Sequence, residues 1–224
     1  MNMSINGQSI WLEINLAALR RNINRLQQHT QRPVMAVVKA NAYGHGIVEV
    51  SRAAAQAGAI YLCVARIEEA LKIRQAGIGT PILVMGYTKP SKVLEAVENH
   101  VSLTVSDWNT ARAYAKKTAE IKKKIHLHAK IDTGMSRLGV LAEDGANFCN
   151  WITQQDFFHL EGVFTHFACA DELSNPVTDQ QIQRFNVVLD ELRSLGVNPG
   201  LVHASNSAAT LFYPAAWYDA VRPG

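Results

Sequence analysis

The stretch that decides the fold is MAVVKANAYGHG, residues 35–46. It opens on four apolar residues without a polar interruption, which is typical of a strand covered on both faces and therefore of a parallel sheet. The run ends at a cation, Lys39, and a loop of small residues around Tyr43 follows. In parallel sheets, ligands bind at the carboxyl ends of the strands, so this lysine is a candidate functional residue.

Similar apolar runs recur along the chain, separated by helix-patterned stretches of ten or more residues. About eight strand–helix cycles predict a parallel sheet, either open or closed into a (β/α)8 TIM-type barrel. No GxGxxG motif follows the first strand, which disfavours an open dinucleotide-binding sheet. The predicted strands cover residues 34–38, 60–65, 82–85, 101–105, 125–131, 160–165, 201–204 and 220–222.

Helical periodicity marks residues 16–29, 66–78, 106–117 and 178–197. Ser106 or Asp107 is the predicted N-cap of the third of these helices, and Thr178 with Gln181 a predicted capping box for the fourth. Residues 9–16 alternate apolar and polar side chains, which predicts a half-exposed strand outside the barrel.

Composition excludes several classes of protein. The 224 residues are 48% hydrophobic, which argues against disorder, and 22 basic residues against 19 acidic ones give too small an excess to indicate nucleic-acid binding. Three cysteines without metal spacing favour a reducing compartment. No apolar run reaches the roughly 18 residues of a membrane span, and the N-terminus lacks the pattern of a signal peptide. We therefore expect a cytoplasmic protein with neither a nucleic-acid nor a membrane partner.

Polar residues at the predicted strand ends are the candidates for chemistry: Lys39, Arg137, His166, the SNS sequence at 205–207, and Arg222. A lysine in a partly apolar pocket has a lowered pKa and can form a Schiff base. Each candidate also has a structural interpretation: a solvated lysine, a core histidine, surface arginines, or a helix cap at 206–207. The other seven histidines have no metal spacing and are interpreted as structural or solvated, so no metal site is predicted.

Five segments resemble one family, in that family's order. AVVKANAYGHG (36–46) is similar to the pyridoxal-phosphate attachment site of alanine racemases, and KIDTGMSRLG (130–139), GVFTHFACAD (162–171), HASNSAAT (203–210) and AVRPG (220–224) are similar to four further segments. The similarity runs from about residue 10 to residue 224. The family belongs to the fold-type III pyridoxal-phosphate enzymes, and its first domain is a (β/α)8 barrel, as the strand–helix alternation independently predicts.

The resemblance implies roles for the residues that bind the cofactor, pyridoxal 5′-phosphate. Lys39 would hold it as an internal aldimine and later act as one of two proton-transfer bases. Tyr43, Ser207 and the backbone at Gly224 would bind its phosphate, and Asn206 would lie in the same pocket.

Four further residues would surround the ring and the substrate. Arg222 would face the pyridine nitrogen, where a permanently protonated group cannot readily give up a full proton. His166 would lie beside the ring and link to Arg222. Arg137 would lie near the phenolic oxygen and the substrate carboxylate. Lys130 matches a lysine that is carbamylated in many members and pairs with that arginine.

The resemblance implies an alanine racemase that interconverts L- and D-alanine and supplies D-alanine for peptidoglycan, as a homodimer when full length. The alternatives are a standalone pyridoxal-phosphate-binding barrel in cofactor homeostasis, a serine racemase of the same family, or a small-molecule carrier built on an inactive barrel. An intact Lys39 disfavours the last of these.

The expected domains are an N-terminal tail at 1–10 and a pyridoxal-phosphate-binding barrel at 11–224, truncated at its last strand. The family's C-terminal β domain, which supplies the base for the opposite face of the substrate, would be absent from this chain. We therefore expect the chain alone to be weakly active or inactive.

Overall fold

A computed structural model describes residues 11–224. The strands are β1 Met35–Val37, β2 Tyr61–Val64, β3 Ile82–Val84, β4 Val101–Val105, β5 Ile125–Asp132, β6 Val140–Leu141, β7 Phe158–Phe164 and β8 Leu201–His203. The helices are α1 Leu16–Thr30, α2 Lys39–Tyr43, α3 Ile47–Gln56, α4 Ile67–Gln75, α5 Val93–Glu98, α6 Trp108–Ile121, α7 Ala142–Thr153, α8 Val177–Ser194 and α9 Ser207–Phe212. Within this range, no helix is both long enough and apolar enough to cross a membrane.

Seven of the strands form one parallel sheet in the order β1-β2-β3-β4-β5-β7-β8, and the short β6 pairs in parallel with the end of β5. Residues 219–223 fill the gap between β8 and β1: the amide of Val221 donates to the carbonyl of Pro33 (3.0 Å), Met35 donates to Val221 (2.8 Å), and Arg222 donates to Ser205 (2.9 Å). The sheet therefore closes on itself, and the predicted (β/α)8 barrel is confirmed. The predicted strand at 220–222 pairs through single bridges at Ala220 and Val221 rather than through a regular ladder.

Alternate residues of the strands face the inside of the ring and the helices around it. Met35 packs inside with Tyr61, Cys63 and Leu83, whereas its neighbour Ala36 belongs to the layer under the helices. Both layers are buried and most of their residues are apolar, which explains why most of the strands are continuous apolar runs. The polar groups at the strand ends are thereby left facing the mouths of the barrel.

The prediction of a strand at residues 9–16 is wrong for the residues that the structure describes. Residues 11–15 have no regular structure, and α1 begins at Leu16, with Asn15 Oδ1 accepting from the amide of Ala18 (2.9 Å). Trp11 and Leu12 are 57% and 75% exposed, so the apolar positions of the pattern do not face a core. Residues 9 and 10, and the predicted tail at 1–10, lie outside the described residues.

The two predicted helix starts differ in outcome. Asp107 caps α6 by accepting from the amide of Thr110 (2.8 Å), as expected. The capping box predicted for α8 is wrong, because that helix begins before Thr178 and Asn175 accepts from the amide of its first residue (3.1 Å). Pro176, directly before the first helical residue, has a backbone φ that suits a helix start. It has no side-chain acceptor, so the acceptor comes from the preceding residue, Asn175. Gln181 does not cap the helix; its side chain bonds to the loops after β5 and β7 instead.

Candidate functional site

A cavity of about 200 Å³ opens at the carboxyl ends of the barrel strands. Its lining brings together residues from the first and the last barrel strands. Nine of the residues singled out in the sequence line it: Lys39, Tyr43, Lys130, Arg137, His166, Asn206, Ser207, Arg222 and Gly224. Ser205, the first residue of the SNS sequence, does not: it is buried, and its hydroxyl donates to the carbonyl of Ala216 (2.6 Å). The strand-end positions and the family resemblance therefore identify the components of one pocket, which we call the carboxyl-end pocket.

Four of the residues that line the carboxyl-end pocket are cationic, and its described lining contains no acidic side chain. Lys130 is only 4% exposed, and burial together with the nearby Arg137 and Arg222 lowers its pKa to about 8. Uncompensated positive charge in a cavity favours an anionic ligand. The pocket is therefore built for a molecule that carries one or more negative groups.

Lys39 opens an unusual turn. The four residues after it have positive φ angles of 52–56°, so α2 is a left-handed turn rather than the open loop that the sequence predicts. Left-handed backbone costs about 1–2 kcal/mol for each residue that is not glycine, so the turn must be held by contacts. The turn places the ring of Tyr43 with its centroid 5.9 Å from Lys39 Nζ.

The contacts that hold this turn come from its own chain segment and from α4. The amide of Ala42 donates to the carbonyl of Val38 (2.9 Å), and Asn41 Oδ1 accepts from the amide of Ile47 (3.0 Å). Glu69 in α4 accepts from the amide of Ala40 (2.6 Å) and also from two amides of the turn after β2. Sequence reasoning missed Glu69, because nothing in its local pattern shows that it caps its own helix and the lysine turn at once.

Hydroxyl and amide groups converge on one end of the pocket. Ser207 Oγ accepts from the amide of Gly224 (3.0 Å) and lies 2.9 Å from its carbonyl oxygen. A Cβ on Gly224 would lie 2.9 Å from Tyr43 Oη and 2.7 Å from a carbon of Val37, so only glycine fits at this position. Asn206 caps α9 by accepting from the amide of Ala209 (3.0 Å), which confirms the structural interpretation of that residue.

Arg222 lies at the inner wall of the pocket and is 3% exposed. Its guanidinium donates to the carbonyls of Thr165 (2.9 Å) and Ala204 (3.3 Å) and to Nδ1 of His203. Burial lowers its pKa to about 10, so it remains protonated at neutral pH. The predicted link between His166 and Arg222 is therefore wrong, because the imidazole bonded to the guanidinium is that of His203.

Both histidines at this end of the barrel are neutral at pH 7. Burial, followed by the charges of Arg222 and Lys130, lowers the pKa of His166 to about 3. His203 is fully buried and stacks on Phe164 with 4.8 Å between ring centroids. Sequence reasoning did not single out His203, although it ends β8 at the same edge of the sheet as the other candidates. The strand-end rule, applied to this histidine as well, identifies it.

Gln181 connects the loops that carry the pocket residues. Its Oε1 accepts from the amide of Ala168 (2.9 Å), and its Nε2 donates to the carbonyl of His166 (3.0 Å) and to Thr133 Oγ1 (3.2 Å). The side chain is fully buried. The loops after β5 and β7, which carry Arg137 and His166, are thus tied to one point on α8.

The family model that describes the alanine racemase N-terminal domain matches residues 14–224. The alanine racemase of Desulforamulus reducens is 41% identical over 220 residues, which cover 97% of this chain and 60% of that protein. The alanine racemase of Methanococcus maripaludis is 43% identical over 218 residues, 96% of this chain and 58% of that protein. The chain thus spans about 60% of the length of these curated relatives.

Solved structures agree with these sequence matches. Alanine racemase of Clostridium difficile 630 in complex with cycloserine superposes with a TM-score of 0.92 at 36% identity, over 97% of this chain and 61% of that one. Alanine racemase from Bacillus anthracis with bound L-Ala-P gives a TM-score of 0.89 at 38% identity, over 96% of this chain and 56% of that one.

Proposed function

Since the chain belongs to the family of alanine racemase N-terminal domains, we propose that it is the barrel of an alanine racemase. It binds pyridoxal 5′-phosphate through Lys39 and takes part in the interconversion of L- and D-alanine. The observation that carries this proposal is the convergence of nine residues, scattered from position 39 to position 224, on one cationic pocket.

The residues of the carboxyl-end pocket fit this cofactor. Its phosphate suits the end where the hydroxyls of Tyr43 and Ser207 meet the amide of Gly224. A primary amine, Lys39 Nζ, is available to the aldehyde carbon, and guanidinium groups of Arg137 and Arg222 are available to the phenolic oxygen and the ring nitrogen. Four cations without an acidic side chain match an anionic group better than any neutral ligand of similar size.

The cofactor, when bound, supplies an electron-withdrawing ring that makes the α-hydrogen of an attached amino acid acidic. Lys39 removes or returns that proton on one face of Cα. Arg137 binds the substrate carboxylate through its guanidinium. Arg222 donates to the ring nitrogen without giving it a full proton, because the guanidinium remains protonated at neutral pH.

Racemisation needs a second base on the opposite face of Cα. Lys39 is the base that the family resemblance implies, and His166, with a pKa lowered to about 3, is a poor proton acceptor near pH 7. We therefore place the second base in a segment outside residues 11–224, within a homodimer.

We further propose that residues 11–224 form one domain. The sheet closes between β1 and the bridges at Ala220 and Val221, so it uses nearly the whole of this range. The product D-alanine would serve peptidoglycan synthesis in the cytoplasm.

The test is exchange of the α-hydrogen of alanine in deuterated water, followed by NMR in the presence of the cofactor. Exchange needs a base on one face of Cα only, so we expect it even where the chain alone racemises alanine slowly or not at all. It should be abolished by Lys39→Ala and retained by Lys116→Ala, which removes an exposed lysine on α6. Faster exchange of serine than of alanine would identify a serine racemase instead. Cofactor binding without exchange of either amino acid would contradict the proposal and favour a cofactor-homeostasis barrel.

A further inference from the structure

A line of polar side chains crosses the inside of the barrel from one mouth to the other. Arg222, at the carboxyl-end pocket, bonds to Nδ1 of His203, and Nε2 of His203 lies 3.0 Å from Nδ1 of His128. Nε2 of His128 lies 3.5 Å from Oε2 of Glu161. Glu161 lines a second cavity, of about 490 Å³, at the amino-terminal mouth of the barrel.

The orientation of each contact in this line follows from its two ends. A guanidinium has only donors, so Nδ1 of His203 must be an acceptor and the proton of that ring lies on Nε2. That N–H then faces Nδ1 of His128, which must also accept. The proton of His128 is therefore on Nε2, which faces Glu161, an acceptor when ionised.

From this geometry we propose that Glu161 is a positioning residue for the carboxyl-end pocket. Its carboxylate ends a line formed by the Arg222–His203 and His203–His128 hydrogen bonds and by the 3.5 Å contact of His128 Nε2 with Glu161. This line fixes both imidazoles as Nε2–H tautomers and keeps Nδ1 of His203 free to accept from Arg222. Only the expected effect on cofactor binding rests on the proposed function, because the line of polar side chains from Arg222 to Glu161 is a feature of the barrel itself.

Because the two imidazoles are buried, water cannot hydrogen-bond to them, and their N–H groups depend on neighbouring side chains. His128 and His203 are both fully buried, and among the described residues no hydrogen-bond acceptor is within bonding geometry of His128 Nε2. Since this N–H makes no hydrogen bond within residues 11–224, its stabilisation is electrostatic and comes from the carboxylate of Glu161, 3.5 Å away. Burial lowers the pKa of His203 well below its usual value and also lowers that of His128, against the opposing effect of Glu161, so both rings are neutral.

The carboxylate is held in its ionised form by groups at the amino-terminal mouth. Ser102 Oγ donates to Oε2 of Glu161, and Nδ1 of His126 lies 3.1 Å from Oε1. Although burial raises the pKa of Glu161, the polar contacts with His128, Ser102 and His126 lower it to about 2. The acceptor at the end of the chain is therefore charged throughout the neutral range.

The absence of a side chain at Gly162 leaves space for the imidazole of His128. Its φ is not in the left-handed region, so its backbone does not require glycine, but a Cβ there would lie 2.6 Å from His128 Cε1 and 2.6 Å from the carbonyl oxygen of Leu201. Any larger residue at this position would push the imidazole out of line. The residue next to the carboxylate thus has no side chain at the point where the imidazole passes.

The test begins with the cofactor-free wild-type chain, labelled with ¹⁵N in histidine and arginine. NMR at neutral pH should show His128 and His203 as Nε2–H tautomers, with signals assigned from His128→Gln and His203→Gln. A Nδ1–H tautomer at His203 would overturn the proposal without any variant of Glu161.

Glu161→Gln then removes the charge with little change in shape. We expect the ring nitrogens of both His128 and His203 and the guanidinium nitrogens of Arg222 to shift, and the dissociation constant for pyridoxal 5′-phosphate to rise about tenfold. The matched control is Glu98→Gln, which removes an exposed carboxylate paired with Lys123 at the same mouth and should move none of these signals.

The outcomes separate this inference from the proposed function. Shifts confined to His128 would show a purely local effect and overturn the inference. Propagated shifts with unchanged cofactor affinity would overturn its link to the pocket. No cofactor binding by the wild-type chain would contradict the proposed function while leaving the tautomer result intact.

Discussion

The pKa of Lys130 is strongly lowered by its position in the barrel. It is 4% exposed, and burial with two nearby guanidinium groups lowers its pKa to about 8. An amine with this pKa is partly neutral at physiological pH and can attack carbon dioxide, whereas an ordinary lysine is almost entirely protonated. The resulting carbamate would replace a cation beside Arg137 with an anion that can pair with it.

We therefore predict that Lys130 is carbamylated in bicarbonate. With ¹³C-bicarbonate, NMR of the chain should show a carbamate carbonyl signal that is lost in Lys130→Arg and kept in Lys116→Ala. An equal signal in the Lys130→Arg variant, or no signal in saturating bicarbonate, would reject this prediction.

His166 makes stability depend on pH. Its pKa is lowered to about 3 in the folded protein, below the value near 6.5 of an unfolded histidine, so the unfolded chain binds the proton more tightly. The stability that follows is fully present above pH 6.5 and is lost progressively as the pH falls towards 3.

Replacing His166 with glutamine should reduce the acid-side slope of the free energy of unfolding by up to about 1.4 kcal/mol per pH unit. Urea unfolding between pH 4 and 7 measures that slope. The matched control, His159→Gln, changes an exposed histidine at the start of β7. The interpretation fails if the two variants have the same slope as the wild type.

At the scale of single elements, the left-handed turn α2 depends on one carboxylate. Glu69 accepts hydrogen bonds from three backbone amides, including that of Ala40 at 2.6 Å. Removing a charged acceptor of this kind leaves the amides without a partner, at about 1.5–3 kcal/mol for the bonds that are lost.

Glu69→Ala should therefore lower the free energy of unfolding by about 1.5–3 kcal/mol. It should also reduce cofactor attachment, because the turn orients Lys39. Glu68→Ala, which removes the exposed neighbouring carboxylate on α4, is the control and should have a much smaller effect. Equal effects of the two variants in urea unfolding would mean that the contacts of Glu69 do not hold the turn.

The elements differ in how far the sequence predicts them. The apolar runs locate the strands to within one or two residues. A strand that is covered on both faces consists of consecutive apolar residues, so its burial can be recognised from its own sequence. The short strand β6 is not predicted, since two residues are too few for a periodic pattern. The left-handed α2 is missed because its cause, Glu69, lies 29 residues from Ala40.

At the scale of the whole molecule, the barrel turns separated motifs into one site. The strand-end rule predicts from the sequence that Lys39, His166 and Arg222 lie together, and they do line one pocket. The line from Arg222 to Glu161 escapes prediction, because its links join residues 19, 75 and 33 positions apart through the inside of the ring. Sequence patterns indicate whether a side chain faces the core or the solvent. Contacts between side chains of distant strands inside the barrel form only when the sheet closes.

The proposed function depends on covalent attachment of pyridoxal 5′-phosphate to Lys39 at the carboxyl ends of the strands. The most direct measurement is to load the chain with the cofactor, reduce the linkage with borohydride, and map the modified peptides by mass spectrometry. We expect one labelled site, Lys39, that is lost in Lys39→Ala and retained in Lys116→Ala. Label at Lys130 instead, label spread over several lysines, or equal labelling of the Lys39→Ala chain would contradict it.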